Sequence, residues 1–263
     1  MLQPIITLVT DFGQKDHYVG VMKGVILGIN RSARLVDICH EIPAQDVRAA
    51  AYVLFASYRH FPKDTIHCAV VDPGVGSERK ALILKTDRHL FVGPDNGIFS
   101  MICNQEKEIK VYSIHTSKDL FSEISSTFHG RDIFAPVSAS LSTGRACSEL
   151  GKPVSKFVSI NTLRPDTEGS VMKGAIIHVD RFGNLITNIC RRDFDGFLGR
   201  ERFEIAAGDR SLADIVKTYS DAPAGKIVAL FGSAGHLEIS AVMGSASGLL
   251  HLGPGDRVLV HRL

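Results

Sequence analysis

The chain opens with a continuous apolar run rich in β-branched residues, Ile5-Ile6-Thr7-Leu8-Val9, the pattern of a strand covered on both faces. It ends at Thr10-Asp11-Phe12-Gly13-Gln14-Lys15-Asp16. From about His17 the period changes: Val21, Val25 and Ile29 recur on one side, with Gly20, Gly24 and Gly28 allowing close packing, so a helix is expected. A second strand, Ala33 to Ile38, leads into Cys39-His40-Glu41. A helix follows from Asp46, a good N-cap, to about Arg59. Ile66 to Val71 is another apolar run, broken abruptly by Asp72-Pro73-Gly74-Val75-Gly76-Ser77-Glu78-Arg79. In α/β proteins such a strand end is where ligands bind, and glycines without a Cβ let the backbone come close.

Residues 81–84 and 89–92 read as a hairpin, followed by Asp95-Asn96-Gly97 and a short helix. A strand is expected at 109–114. Thr127-Phe128-His129-Gly130-Arg131-Asp132 then opens a helix that continues to Leu141. Strands alternating with helices predict an α/β fold with a mostly parallel sheet over the first 150 residues. Residues 154–170 lose the period and read as a linker. Beyond them, short strands at 175–179, 185–187, 226–231, 236–239 and 257–260 are separated by glycine turns, the pattern of a small β-barrel or sandwich. The expected domains are therefore 1–153 and 171–263.

Composition removes some function classes. Thirty basic and 28 acidic residues leave a net charge of +2, too balanced for a nucleic-acid surface. The apolar runs fall short of the roughly 20 residues that span a bilayer, and the N-terminus lacks a basic n-region. Five cysteines without a CxxC pair suit reduced thiols in the cytoplasm better than a disulfide framework. HExxH, HxH, GxSxG and the phosphate-binding glycine motifs are absent, which argues against a metal site, a serine hydrolase and phosphoryl transfer.

Six polar clusters stand at strand or helix ends: Asp11/Asp16, Asp72/Arg79, Asp95/Asn96, His129/Arg131/Asp132, Asp180/Asn184 and Ser233/Glu238. Each alone reads as a cap, a turn or a surface pair; His129, just before a helix, could simply cap it. Together they carry more. TDFG at Asp11, VVDPGVGSER at Asp72, FHGRD at His129, DRFGNLITN at Asp180 and FGSAGHLEIS at Ser233 resemble, in order and over the whole chain, the S-adenosylmethionine hydroxide adenosyltransferases, relatives of bacterial fluorinases and chlorinases.

The resemblance implies a Rossmann-like N-terminal α/β domain, a C-terminal β-barrel, and a homotrimer with the nucleoside held between subunits. It implies hydrolysis of S-adenosylmethionine to adenosine and methionine by water or hydroxide attack at ribose C5′, with no cofactor or metal. Asp11 matches the acid that holds the ribose hydroxyls; Asp16 and Asp180 match positions near the methionine end. Phe182 and Tyr219 match aromatics flanking adenine, and Asn184 the amide that reads its edge. Ser233 and Glu238 match substrate-lining positions, and Ala241–Val242 the backbone approaching adenine, although an asparagine usual near Val242 is missing. Phe128, inside FHGRD, joins the substrate-binding set.

Asp72, Arg79 and His129 match the catalytic triad that separates hydrolases from halogenases. The halogenase insertion is absent, because Lys80 to Gly93 is a short hairpin, and Gly130 replaces a fluoride-holding serine. The alternatives are a 5′-halogenase and a non-catalytic adenosine or S-adenosylmethionine binder.

Overall fold

The computed structural model describes residues 3–115, 124–161 and 164–263. The chain forms two compact units, Met1–Ile160 and Asn161–Leu263.

In the first unit, strands β1 (Ile5–Thr10), β2 (Arg34–Cys39), β3 (Ile66–Val70), β4 (Ala81–Lys85), β5 (Leu90–Pro94), β6 (Lys110–Ile114) and β7 (Gly151–Pro153) form one sheet. Their order is β2-β1-β3-β5-β4-β6-β7. The expectation of a mostly parallel sheet needs correction. The β2-β1-β3-β5 part is parallel, but β4, β6 and β7 add antiparallel ladders. The reason is local: the short 86–89 turn makes β4 and β5 a hairpin, and a hairpin is antiparallel by construction.

Helices α1 (Tyr18–Ile29) and α4 (Ala135–Ser142) cover one face; α2 (Val47–Tyr58) and α3 (Ser100–Gln105) cover the other. The two-sided burial read from the strand runs is visible residue by residue. Leu8, Ile66, Cys68 and Val70 join the α1/α4 core, while Val9, Ala69 and Val71 join the α2/α3 core. Asp46 caps α2 as expected, its Oδ1 accepting from the Arg48 and Ala49 amides. A short helix α5 (Cys147–Leu150) precedes β7.

The second unit is antiparallel and nearly barrel-shaped. Its strands are β8 (Asp166–Glu168), β9 (Val171–Val179), β10 (Leu185–Cys190), β11 (Phe203–Ala207), β12 (Arg210–Leu212), β13 (Ile227–Phe231), β14 (His236–Ala241) and β15 (Arg257–Arg262). They are ordered β12-β11-β15-β9-β10-β14-β13, with β8 added on β9. Elements that escaped the sequence reading here include strand β8, inside the span 154–170 read as a linker, the hairpin β11–β12, helix α6 (Arg191–Leu198) and helix α7 (Ala246–Leu250). Helix α6 buries Phe194 and Leu198 and packs Phe197 beside them, but eight residues are too few for that period to stand out from the sequence. No helix among the described residues is long and apolar enough to cross a membrane.

Candidate active site

The loop after β3 and the segment before α4 bring three polar side chains together. Asp72 Oδ1 accepts from Arg79 Nε at 2.9 Å, and its Oδ2 accepts from Arg79 Nη2 in a short second contact, so the pair is bidentate. Their side chains are only 6% and 10% exposed. Arg79 Nη2 also lies 2.7 Å from His129 Nδ1, and its guanidinium sits over the Phe134 ring. A guanidinium can only donate, so His129 Nδ1 accepts and the ring hydrogen of the neutral imidazole is on Nε2. Burial lowers the His129 pKa, and the Arg79 charge lowers it further. The bland reading of His129 as a helix cap is set aside, since its side chain makes no capping bond.

A backbone irregularity aims the histidine. Gly130–Phe134 is a single π-helical turn ahead of α4, a feature frequent at functional sites. Below it, Asp132 accepts from the Ser125 amide at 2.8 Å and pairs with Arg131, which pins the segment entering the turn. Gly76 serves the approach of the two loops. Its φ is +79°, and a Cβ there would lie 2.4 Å from the Ser126 carbonyl oxygen. Gly74 meets only ordinary contacts. Gly130 is tight as well: a Cβ would stand 3.2 to 3.3 Å from Met22 Sδ and the Phe128 and Phe12 rings.

Asp11, at the end of β1, is half-buried, and its Oδ2 accepts from the Gln45 amide at 2.8 Å. Asp16 lies exposed in the same loop. Phe128 is buried edge-on against Tyr18 and Phe12.

In the second unit, Asp180 and Asn184 bond one another. Asn184 Nδ2 donates to Asp180 Oδ2 at 2.8 Å, while Asp180 Oδ1 accepts from the Phe182 and Asn184 amides. That tight turn leaves Phe182 76% exposed. Gly183, with φ +80°, has no room for a Cβ against Ser245, a partner that sequence spacing could not reveal.

Tyr219 donates to Glu238 Oε2 at 3.1 Å. Burial raises the Glu238 pKa, and burial with the nearby Glu238 pushes the Tyr219 hydroxyl up to about 12. Gly232 is the unforeseen support: a Cβ there would sit 1.6 Å from a Glu238 carboxylate oxygen. Ser233 is exposed on the adjoining turn, while Ala241 and Val242, at the end of β14, are buried.

The model of the S-adenosylmethionine hydroxide adenosyltransferase N-terminal domain matches residues 6–151, and that of the C-terminal domain matches 174–259. The chain belongs to the S-adenosylmethionine hydroxide adenosyltransferase family. Among its relatives, a protein named (R)-S-adenosyl-L-methionine hydrolase from Methanocaldococcus jannaschii is 36% identical over 97% of this chain and 94% of its own length. A fluorinase from an Actinoplanes species is more distant, 27% identical over 73% of this chain and 74% of its own. An uncharacterized conserved protein from Thermotoga maritima has a solved structure that superposes with a TM-score of 0.88, at 36% identity, covering 98% of this chain and all of that one. Within the family frame, the Asp72–Arg79–His129 triad belongs to the N-terminal domain and the Asp180 and Glu238 clusters to the C-terminal domain.

Proposed function

We propose that this protein hydrolyses S-adenosyl-L-methionine to adenosine and methionine by attack of water or hydroxide on ribose C5′, with the configuration at sulfur preferred that its hydrolase relatives' names specify. The observation that carries the reading is the bidentate Asp72–Arg79 pair bonded on to His129. Methionine leaves as a neutral thioether, so no acid is needed; the task is to hold a weak nucleophile in line with the C5′–S bond. Hydroxide approaching a sulfonium cancels charge, which a dry site favours.

The triad geometry supports a division of roles. With Nδ1 occupied by Arg79, the free ring nitrogen of His129 is a donor. His129 Nε2–H and the Arg79 guanidinium would therefore anchor the oxygen of the attacking species, and Asp72 would fix the guanidinium or take the proton. Asp11 would hold the ribose hydroxyls, Asp16 and Asp180 the methionine end. Phe128, Phe182, Asn184, Tyr219, Ser233, Glu238, Ala241 and Val242 would enclose the nucleoside. The functional domains would be 1–153 and 171–263 joined by 154–170. The working form would be a cytoplasmic homotrimer with sites between subunits and no cofactor. Against a halogenase stands the crowding at Gly130, where a serine side chain would press on Met22 and two rings.

The test is incubation with each sulfonium epimer of S-adenosylmethionine, with and without chloride or fluoride, followed by chromatography of the nucleoside. Adenosine is the expected product under all conditions, and a 5′-haloadenosine would refute the proposal. Retained binding without turnover would instead identify a binder. His129→Ala should lower kcat on the order of 10²-fold or more while adenosine affinity stays within about twofold.

A further inference from the structure

A chain of polar contacts behind Asp11 has no part in the triad, yet it holds the loop that carries the proposed ribose-binding carboxylate. The Phe12 amide donates to Thr10 Oγ1 at 3.3 Å, and Thr10 Oγ1 lies 2.8 Å from His40 Nδ1. His40 Nε2 lies 3.0 Å from Asp37 Oδ1, an electrostatic contact off the ideal hydrogen-bond line. Lys23 Nζ completes the chain at 2.6 Å from Asp37 Oδ2. The nitrogen facing a carboxylate carries the hydrogen, which leaves Nδ1 to accept from the Thr10 hydroxyl. From the Phe12 amide to Asp37 the donors then run one way, and Lys23 donates to Asp37 from the far side.

Two further details tie this chain to Asp11. The His40 carbonyl accepts from the Gly13 amide at 2.7 Å, so one residue grips the loop on both sides of Phe12. A bulge in β2 makes the grip possible: Leu8 pairs with Asp37 but Val9 with Cys39, leaving Ile38 unmatched as the strand runs on to His40. Thr10 is 0% and His40 2% exposed, so neither can reach a substrate; a Thr-His-Asp sequence of contacts here is not a nucleophile.

We propose that Thr10, His40 and Asp37 are positioning residues for nucleoside binding: they hold the Thr10–Gly13 loop so that the Asp11 carboxylate, steadied on its other side by the Gln45 amide, stays aimed at the ribose hydroxyls. This rests on the reading of Asp11 as the ribose ligand. It makes ribose affinity depend on a buried histidine on the neighbouring strand and leaves the chemistry at C5′ to the triad.

The test is a double-mutant cycle on the full chain, reading kcat and KM for S-adenosylmethionine and Kd for adenosine by calorimetry. Thr10→Val removes the hydroxyl at nearly constant volume, and Thr10→Ser restores it. Asp37→Ala releases His40 Nε2 from the half-exposed end of the chain without touching the buried threonine, and serves if Thr10→Val does not fold. Thr10→Val should raise KM and Kd about 10-fold with kcat within about twofold, Asp37→Ala should do so about threefold, and Thr10→Ser should act as wild type. In an Asp11→Asn background, Thr10→Val should add less than about twofold, because its effect runs through Asp11. Wild-type adenosine affinity in Thr10→Val and Asp37→Ala, alongside weakened binding in Asp11→Asn, would overturn the positioning role. So would a full multiplicative loss in the double mutant. Unchanged binding in Asp11→Asn itself would instead overturn the reading of Asp11.

Discussion

At the scale of single residues, the triad is a hydrogen-bond relay whose polarity follows from arginine's inability to accept. That polarity has a pH signature. His129 must be neutral for Nδ1 to accept from Arg79, and burial with the Arg79 charge lowers its pKa. Protonation therefore waits for a pH below the ordinary histidine value of 6.5. The kcat/KM profile should stay level through pH 6.5, and its acid limb should fall only below that. A limb centred above 6.5 would show that His129 is charged in the working enzyme. This feature was half legible from the residues. The motifs named Asp72, Arg79 and His129, but which nitrogen faces which neighbour depends on a π-turn and a loop packing that no spacing encodes.

At the scale of elements, the site depends on two loops lying closer than ordinary residues permit. The loop after β3 presses Gly76 against the Ser126 carbonyl, and a methyl group there would meet that oxygen at 2.4 Å while also straining a φ of +79°. Backbone cannot yield as a flexible side-chain end can. Gly76→Ala should therefore cost on the order of 1–3 kcal/mol of stability and lower kcat more than it raises KM. A urea titration with steady-state kinetics checks both, and a fully active, fully stable variant would show that the loops separate readily. The glycine was visible from the start as a turn residue. Its partner was not, because Ser126 is 50 positions away and contributes only a carbonyl. Gly183 likewise meets a partner far along the chain, Ser245. Asp46 shows the opposite case: a cap acts within its own helix, so the residue type and the period that follows announce it.

At the scale of the whole molecule, the N-terminal core contains a group of buried titratable side chains that the chemistry does not use. His67 and His89 lie with Tyr58 and Phe91 between α2 and the sheet, with ring centroids of the two histidines 5.1 Å apart. Thr7 bonds His67 Nδ1, while His67 Nε2 and both His89 nitrogens have no partner among the described residues. Burial holds the His67 pKa down at about 3, with the neighbouring His89 adding to it, and burial also lowers that of His89. Because the folded values lie below the ordinary 6.5, the unfolded chain takes up protons that the folded one refuses. Stability is full above pH 6.5 and is lost as pH falls from there toward 3, with a slope approaching about 1.4 kcal/mol per pH unit for His67. Urea midpoints between pH 4.5 and 7.5 should show that decline, and His67→Phe should flatten it. An equal slope in the variant would place the acid sensitivity elsewhere.

Local chemistry determined a great deal. Runs of apolar residues set the central strands of both units, because a strand's burial is written in its own neighbours, while β8, β11 and β12 lack such runs. Asp46 set the start of α2, and the motif residues named the family. The tertiary structure decided the rest. It placed β6 beside β4 and β7 beside β6 in antiparallel ladders, and it seated the short helix α6 on Phe194, Phe197 and Leu198. It also brought the loop after β3 against the segment before α4, so that Arg79 bridges Asp72 and His129 across 50 residues. The physical reason is one of range. Secondary structure is chosen by interactions a few residues long, whereas a site is chosen by which loop ends a packed sheet happens to place within three ångströms of each other.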